Sequence, residues 1–467
     1  MFALSLLGSS FLLIALAVLV QIAYLSFQLP RDLGNPSEAI RNLGLALAAI
    51  IGLPFLVWRS IVAQKQVDVA EQGQITDRIN DAVKGLGTEK TVKRQRRDAN
   101  GEALYVLDAD GTPDETKPIW DETTEPNLEV RIGAIYALER IAQDSDRDHI
   151  QIMEILCAYI RQNAPASEAQ ETLVQKWRRE NEAFAKEDRA PFPKRNAIRL
   201  EAKKLKQPRA DIHAALDVLK RRHTHQIDLE RQDPRPSDNK GYRLDLRQTN
   251  LQGADLVSAQ LAKARLDGAH LEGAKLGGAH LQGAELDEAY LEGAVLNRAH
   301  LEGVVLNRAH LEGAELDEAH LDCAWLVQAH LEGAWLGKAH LEGAELDEAH
   351  LERAWLIGAH LEEAVLNAAH LQRAKLARAH LEGAWLVDAS FDSKWSLTAA
   401  TLRGAAVKFV DLSVLSLTQD QVNSLFGDDT TILPSDVTPP AWCRNSYADY
   451  EDFVEAWNAH KKAHDIP

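Results

Sequence analysis

From Leu246 to Phe391 an apolar residue occupies every fifth position, thirty times without a gap. From Ala254 onward the residue two places earlier is Ala, with Val304 the single exception. A step of five fits neither ordinary secondary structure. On an α-helix of roughly 3.6 residues per turn it would scatter the leucines around the whole circumference. On a flat strand an odd step would throw successive leucines onto opposite faces. The pattern therefore predicts a chain that turns a corner once per pentad. Within Ala284-Glu285-Leu286-Asp287-Glu288 the Ala and Leu, two apart, point inward from a short extended segment, while the three acids face water. Pentads of this kind bury nothing alone and gain stability by stacking coil on coil, as a solenoid does.

The repeat resembles the pentapeptide-repeat family, whose motif reads A(D/N)LXX. The resemblance covers about a third of the chain and implies a right-handed quadrilateral β-helix with four pentads per coil. At about 4.8 Å per coil, seven to eight coils would make a rod of roughly 36 Å. Each buried Leu contributes roughly 1.5–3 kcal/mol, and Ala is small enough to share the interior with it. After Phe391 the step becomes six, to Leu397, and Leu402, Val407 and Leu412 continue in the shifted register. This predicts a bulge followed by one more coil or by the start of a cap, so the rod is assigned to 242–417 and a C-terminal cap with a short helix to 418–467.

The N-terminal pattern is different. Phe2 to Leu29 carries no charged side chain and is long enough to cross a hydrocarbon core of roughly 30 Å. A second apolar run, Leu43 to Trp58, is extended by Arg41 and Arg59, and residues 30–42 with Pro30, Asn35 and Pro36 would turn between them. A cleaved signal peptide is the competing reading, but a basic leader and a small-x-small site are missing and a second apolar run follows. Residues 1–60 are thus expected to form a transmembrane helical hairpin. Basic residues after the hairpin, including Arg59, Lys65 and Arg78, favour both termini in the cytoplasm.

Residues 61–90 read as an amphipathic linker helix, with Val62, Val69, Ile75, Ile79, Val83 and Leu86 as its apolar positions. A short parallel coiled coil, and hence a homodimer, is the sharper reading of the same face. In the polar stretch 91–126, Asn100-Gly101 predicts a small hairpin between Thr91–Arg97 and Ala103–Leu107. Asp108 to Gly111 lacks the remaining ligands of a calcium loop and reads as an ordinary turn. The region 127–235 is helical: one helix capped by Asn127 with Val130, Ile132, Ile135, Leu138 and Ile141 inward, and a second near Asp148–Gln162. Residues 166–206 are highly charged and predict an exposed helical insertion, with Arg178 and Arg179 on a solvated face or near anionic lipid. The phrases QGQITDRINDAVKGLG at 72–87, Leu128–Arg161, and LTQDQVNSLFGDDTTILP at 417–434 resemble bacterial membrane-anchored pentapeptide-repeat proteins. That resemblance implies an α+β chain in the bacterial inner membrane, multi-pass, with its repeats facing the cytoplasm.

Charge and chemistry sharpen the rod. Residues 244–392 hold 25 Asp plus Glu against 11 Lys plus Arg, a difference of −14 within a chain of −18. Such a rod repels nucleic acid, so direct nucleic-acid binding is not expected. Three dispersed cysteines supply neither a disulfide framework nor a metal motif. His precedes Leu in every second pentad from His270 to His380, with Tyr290 in the place of one. Four pentads per coil would place His310, His330, His350 and His370 on one face and His320, His340, His360 and His380 on the opposite one, about 5 Å apart. His310, His330, His350, His320, His340 and His360 are thus candidate metal ligands, weighed against duplication of a unit that encodes AHLEG. AELDE recurs at 284, 314 and 344, a step of 30 that puts successive copies on opposite faces. Eleven histidines protonating near pH 6.5 would also offset most of the −14. Trp325, Trp335, Trp355 and Trp385 take the same outward position on the other two faces; Trp335 and Trp355 should stack, and all four are candidate interface residues.

No catalytic residue or cofactor site is indicated, because no triad, P-loop or paired-carboxylate pocket is present and a leucine-filled column has no cavity. Three functions are consistent with the sequence: a membrane-tethered scaffold for an unidentified protein partner, a DNA mimic of the kind some family members use to protect gyrase, and a pH- or metal-responsive sensor. The membrane anchor and the histidine faces favour the first.

Overall fold

The computed structural model describes Ala17, Val20, Tyr24 and residues 36–466 apart from 109, 182–190, 235–240, 393–396 and 448; within the first helix, side chains are described at residue 52 and from 55 onward. The chain divides into two compact units, Met1–Asp81 and Ala82–Pro467. Helix α1, Pro36–Leu86, is one continuous element of 51 residues. Proline suits a first helical position, where its missing N–H has no partner to lose, so Pro36 opens the helix that it was expected to precede. The same helix runs unbroken past residue 60. The apolar run 2–29 lies outside the described residues except at Ala17, Val20 and Tyr24. Among the described residues no helix is long and apolar enough to cross a membrane, so the expected two-span hairpin has no counterpart there. From Arg59 onward α1 carries Lys65, Asp68, Glu71, Asp77 and Arg78, too many charges for a hydrocarbon span.

Four short strands follow: β1 (Glu89–Gln95), β2 (Tyr105–Leu107), β3 (Pro113–Pro118) and β4 (Trp120–Pro126). β1 pairs antiparallel with β4, and β2 with β3. The Asn100-Gly101 turn is present, with Gly101 at φ +87° and Arg97 bridging Ala103, but the expected hairpin of Thr91–Arg97 with Ala103–Leu107 is corrected: beyond that bridge β1 runs against β4 and β2 against β3. Asp108 anchors the second turn by accepting from the N–H groups of Asp110 and Thr112.

The helices α2 (Leu128–Asp144), α3 (Asp146–Asn163), α4 (Leu173–Asn181), α5 (Arg195–Ala202), α6 (Ala210–Lys220) and α7 (Thr224–Arg231) come next. Ile135, Leu138 and Ile141 are buried at the spacing the pattern gave, whereas Val130 faces out; Ile152, Leu156, Ile212 and Leu216 of the following helices are buried as well. Asn127 precedes α2 but its side chain makes no cap bond; its own N–H is spent on the Thr88 carbonyl. α3 begins at Asp146, where Asp146 and Asp148 meet the positive end of the helix dipole. Between the helices lies a buried polar network. The His149 ring meets Glu230 at 2.8 Å, Arg222 pairs with the same carboxylate, and Tyr159 donates to Asp211. Burial opposes the charge on Glu230, but His149 and Arg222 win and hold it below the usual carboxylate range.

This layer closes one end of the repeat. Pro165 bridges Thr249, Ala166 donates to the Gln248 carbonyl, and Asn250 donates to that of Ala164. A solenoid exposes its core at each end unless something covers it. Parallel bridges then join residues twenty apart, from Asn250–His270 to Val365–Trp385, so four pentads make one coil. Leu246 to Leu386 are at most 2% exposed at every fifth position, and the alanines are equally buried. The gap running between Leu306 and Leu356 has a volume of about 10 Å³, at the lower limit for one water. Each corner is a turn in which the Ala N–H returns to the Leu carbonyl, as Ala284 does to Leu281 at 2.9 Å. Its third residue takes positive φ, +63° at Gly303 and +56° at Glu288. Beyond Phe391 the bridges lengthen to 21 residues, His380–Thr401 and Trp385–Ala406, which is the one-residue bulge read from the step of six. Leu397, Leu402, Val407 and Leu412 are buried in one further coil. The far end is covered by β5 (Ala406–Val407), α8 (Gln419–Ser424), β6 (Phe426–Gly427) and α9 (Tyr450–His464), around Phe426, Phe453 and Trp457.

Leu331→Ala should therefore lower the stability of the rod by about 2–5 kcal/mol in denaturant unfolding. Gly303→Ala should cost only about 1–2 kcal/mol, because an added Cβ meets nothing within 4 Å and only the left-handed backbone resists it.

Candidate functional site: two histidine columns

Because coils stack in register, residues twenty apart form columns. One column runs His270, Tyr290, His310, His330, His350 and His370, with rings 4.4–4.9 Å apart and stacked. The other runs from His280 to His380, with rings 4.7–5.1 Å apart. The predicted ladders are present at the predicted spacing. Each His is followed two residues later, in most coils, by Glu, which lines the adjoining corner.

The two columns differ in what covers that corner. The charged insertion expected to be exposed instead docks beside the first column. Gln175 of α4 donates to Glu272 at 2.9 Å, and Arg178 pairs with Glu312 and lies 4.0 Å from Glu292. Glu272, Glu292 and Glu312 are at most 1% exposed. Ile198 and Ala202 of α5 lie against Gly313, Gly293 and Gly273; a Cβ on Gly273 would sit 2.5 Å from the Ala202 carbonyl oxygen. The corner glycines therefore serve twice, taking positive φ and letting a helix approach. Arg199 reaches Glu315, and Arg195 lies 3.9 Å and 4.5 Å from the ring centres of Trp335 and Trp355. A charged helix looks the same in sequence whether solvated or docked on an acidic column, which is why the insertion was misplaced. The available signal was Gly253, Gly273, Gly293, Gly313 and Gly333, one column of glycine at a twenty-residue step.

Burial governs the electrostatics. It raises the carboxyls of Glu312 and Glu332 to about 7, and, with the help of Glu312, raises Glu292 well above the usual carboxylate range. Burial also lowers His310 to about 2, with Arg178 adding to the effect, and His330 to about 4. The Glu352 carboxylate, 3.8 Å from the His350 Nδ1, raises His350. Against burial, Glu312 and Glu292 hold Arg178 more firmly protonated than usual. His310 and His330 thus stay neutral at pH 5, so the expectation that all eleven histidines titrate together is corrected: the desolvated members cannot accept charge.

The four tryptophans also separate. Trp335 and Trp355 stack at 5.7 Å with planes 10° apart, as expected, but Arg195 covers them and Lys375 approaches Trp355 at 3.8 Å. Trp385 meets Trp457 of α9 at 4.3 Å. Trp325 is 55% exposed. The His/carboxylate groups with three ligand atoms within 4.8 Å of one another are His310–Glu312–His330, His330–Glu332–His350, Asp322–His340–Glu342, Glu342–His360–Glu362 and Glu362–His380–Glu382. Five of the six candidate histidines fall in them; His320 does not.

The sequence signature of pentapeptide repeats matches residues 245–392 in eight copies. The rod is a pentapeptide-repeat domain. It is similar to HetL, a pentapeptide repeat protein involved in heterocyst differentiation regulation in the cyanobacterium Nostoc, with 29% identity and a TM-score of 0.21 over 44% of this chain and 90% of HetL. It is similar also to QnrB1, a plasmid-mediated fluoroquinolone resistance protein, with 16% identity and a TM-score of 0.31 over 39% of this chain and 89% of QnrB1. A pentapeptide repeat protein from the Arabidopsis thaliana thylakoid lumen matches at 22% identity and a TM-score of 0.19, over 28% of this chain and 83% of that one. Among curated proteins none matches.

Arg178→Met strands Glu292 and Glu312 as buried, unpaired charges. The variant should lose about 3–5 kcal/mol at pH 8. A carboxyl raised to about 7 in the folded state is destabilising when ionised, above that value, and ceases to be as it protonates below it. The loss should therefore shrink between pH 8 and pH 5 in thermal unfolding followed at both values.

Proposed function

We propose that this protein is a non-enzymatic interaction scaffold whose pentapeptide-repeat domain displays fixed columns of side chains to a protein partner. The observation that carries the reading is the solid interior: leucine and alanine fill the coils, so the rod offers a surface and no chamber for substrate. Trp325 supports a specific contact face. It stands exposed on the column of Val305, Glu345 and Val365, whereas the other three tryptophans are engaged within the chain. A large exposed aromatic side chain suits the centre of a protein interface.

We further propose that the N-terminal apolar segment tethers the scaffold to a bacterial inner membrane, with the repeats in the cytoplasm. The uncharged run Phe2 to Leu29 supports this, as do Phe55, Leu56, Val57 and Trp58 of α1, each more than half exposed. Val69 and Val83 are exposed farther along the same helix, fourteen residues apart on one face, and suit pairing of two chains. The DNA-mimic reading is less favoured, because columns of stacked imidazole interrupt the acidic surface that a mimic needs.

The test is affinity capture from membranes with the full chain, a chain lacking 244–412, and Trp325→Ala. A partner held by the full chain and lost or weakened tenfold in both variants is expected; a partner retained by the truncated chain would move binding off the rod.

A further inference from the structure

The two histidine columns carry similar ligand groups but differ in what lies beside their carboxylates. The corner beside His310 and His330 is filled by Arg178, whose guanidinium supplies the positive charge for Glu292 and Glu312. Farther along the same corner, Phe192, Pro193, Arg195 and Asn196 of the insertion crowd Glu332. The opposite corner repeats the same His-Leu-Glu words, and among the described residues no Arg or Lys pairs with Glu342 or Glu362, although Lys461 of α9 reaches the neighbouring Glu363. There the His340 Nδ1 lies 3.2 Å from Glu342 Oε1, and His360 Nδ1 lies 3.4 Å from Glu362 Oε1. The coil below adds Asp322, and ligand atoms of successive coils stay within 4.8 Å. Two ligands bound at roughly 2.0–2.1 Å in a tetrahedron lie roughly 3.3–3.4 Å apart, so each His–Glu pair already has the edge length of a zinc site.

A second observation points the same way. The Oε2 atoms of Glu342, Glu362 and Glu382 are secluded from solvent and have no hydrogen-bond partner among the described residues, as are those of Glu312, Glu332 and Glu352 on the covered column, where Arg178 pairs with Glu312. A buried unpaired carboxylate oxygen costs free energy that a cation relieves. On the other side of the rings, Arg298, Lys338 and Arg378 line the groove, with Arg298 bonded to Glu318 at 2.7 Å. The ion would therefore enter from the carboxylate side.

We propose that this open column binds zinc(II), through His340 and His360 with the carboxylates of Asp322, Glu342 and Glu362. Mixed imidazole and carboxylate donors select a borderline ion such as zinc over magnesium or calcium, which prefer all-oxygen shells. Because neighbouring triads share Glu342, the ion joins adjacent coils and ties the middle of the rod together.

The experiment is equilibrium dialysis of the purified, tag-free full chain against zinc(II), with metal measured by mass spectrometry and cobalt(II) absorption as a probe of tetrahedral geometry. At least one zinc per chain should be retained at a zinc concentration where calcium and magnesium are not. The pair His340→Gln with His360→Gln should weaken zinc binding tenfold or more and abolish the cobalt(II) bands. His330→Gln with His350→Gln on the covered column should leave both unchanged, as should Cys323→Ser, which removes an exposed thiol beside Asp322. Circular dichroism checks that each variant keeps its fold. No retained zinc, undiminished binding in the His340/His360 variant, or loss in the His330/His350 or Cys323 variant would each overturn the proposal.

Discussion

Everything in this molecule depends on one geometric requirement: each pentad must bring an Ala and a Leu inward and then turn a right-angled corner. Stacking supplies both the apolar burial and the backbone hydrogen bonds, since the Leu N–H of one coil meets a carbonyl of the next, as Leu281 meets His300. No pentad achieves this alone, and so the repeat exists only as a continuous column with both ends covered. The helical layer closes one end and the aromatic cluster around Phe453 closes the other. The corner imposes its own restriction, a left-handed residue in each turn. Glycine meets it without strain, and the chain tolerates Glu288, Arg298 or Ala368 there because stacking on both sides holds the backbone in place.

Register converts a one-dimensional repeat into vertical columns, and columns behave unlike isolated side chains. Stacked glutamates raise one another's proton affinity, and burial beneath a helix amplifies the effect. Arg178 answers it on one corner by inserting a cation where Glu292 and Glu312 converge. The same repeated words on the opposite corner have no such answer. The functional difference between two faces of nearly identical sequence thus comes from a segment outside the repeat. Duplication alone made the faces alike; the insertion at 166–206 made them unlike.

The sequence disclosed the rod almost completely. A five-residue period admits one solution, the ladder of histidines follows from four pentads per coil, and the step of six after Phe391 is seen as a bulge. What escaped was docking. Trp335 and Trp355 were readable as a stacked pair, yet nothing local announced that Arg195 would lie on them. Arg178 resembles any solvated arginine until its partners are known. The helix at Pro36–Leu86 was divided in two because a proline and a change from apolar to amphipathic pattern look like a boundary, while the backbone simply continues. Burial, which sets His310 and His330 apart from their neighbours, is a tertiary property and is not written in the repeat.

The most direct measurement of the account is residue-resolved amide hydrogen exchange across 246–386. In most pentads four N–H groups donate to backbone carbonyls, and the residue after Leu, such as Glu342 or Glu362, does not; at Asp317, Val327 and Gly337 that amide donates to a side chain of the neighbouring coil. The account predicts a five-residue period of fast amides at that position, interrupted where a side chain accepts from it, with strong protection of the Leu and Ala amides on either side. Uniform protection along the segment, as a helix would give, or exchange without a five-residue period would contradict it.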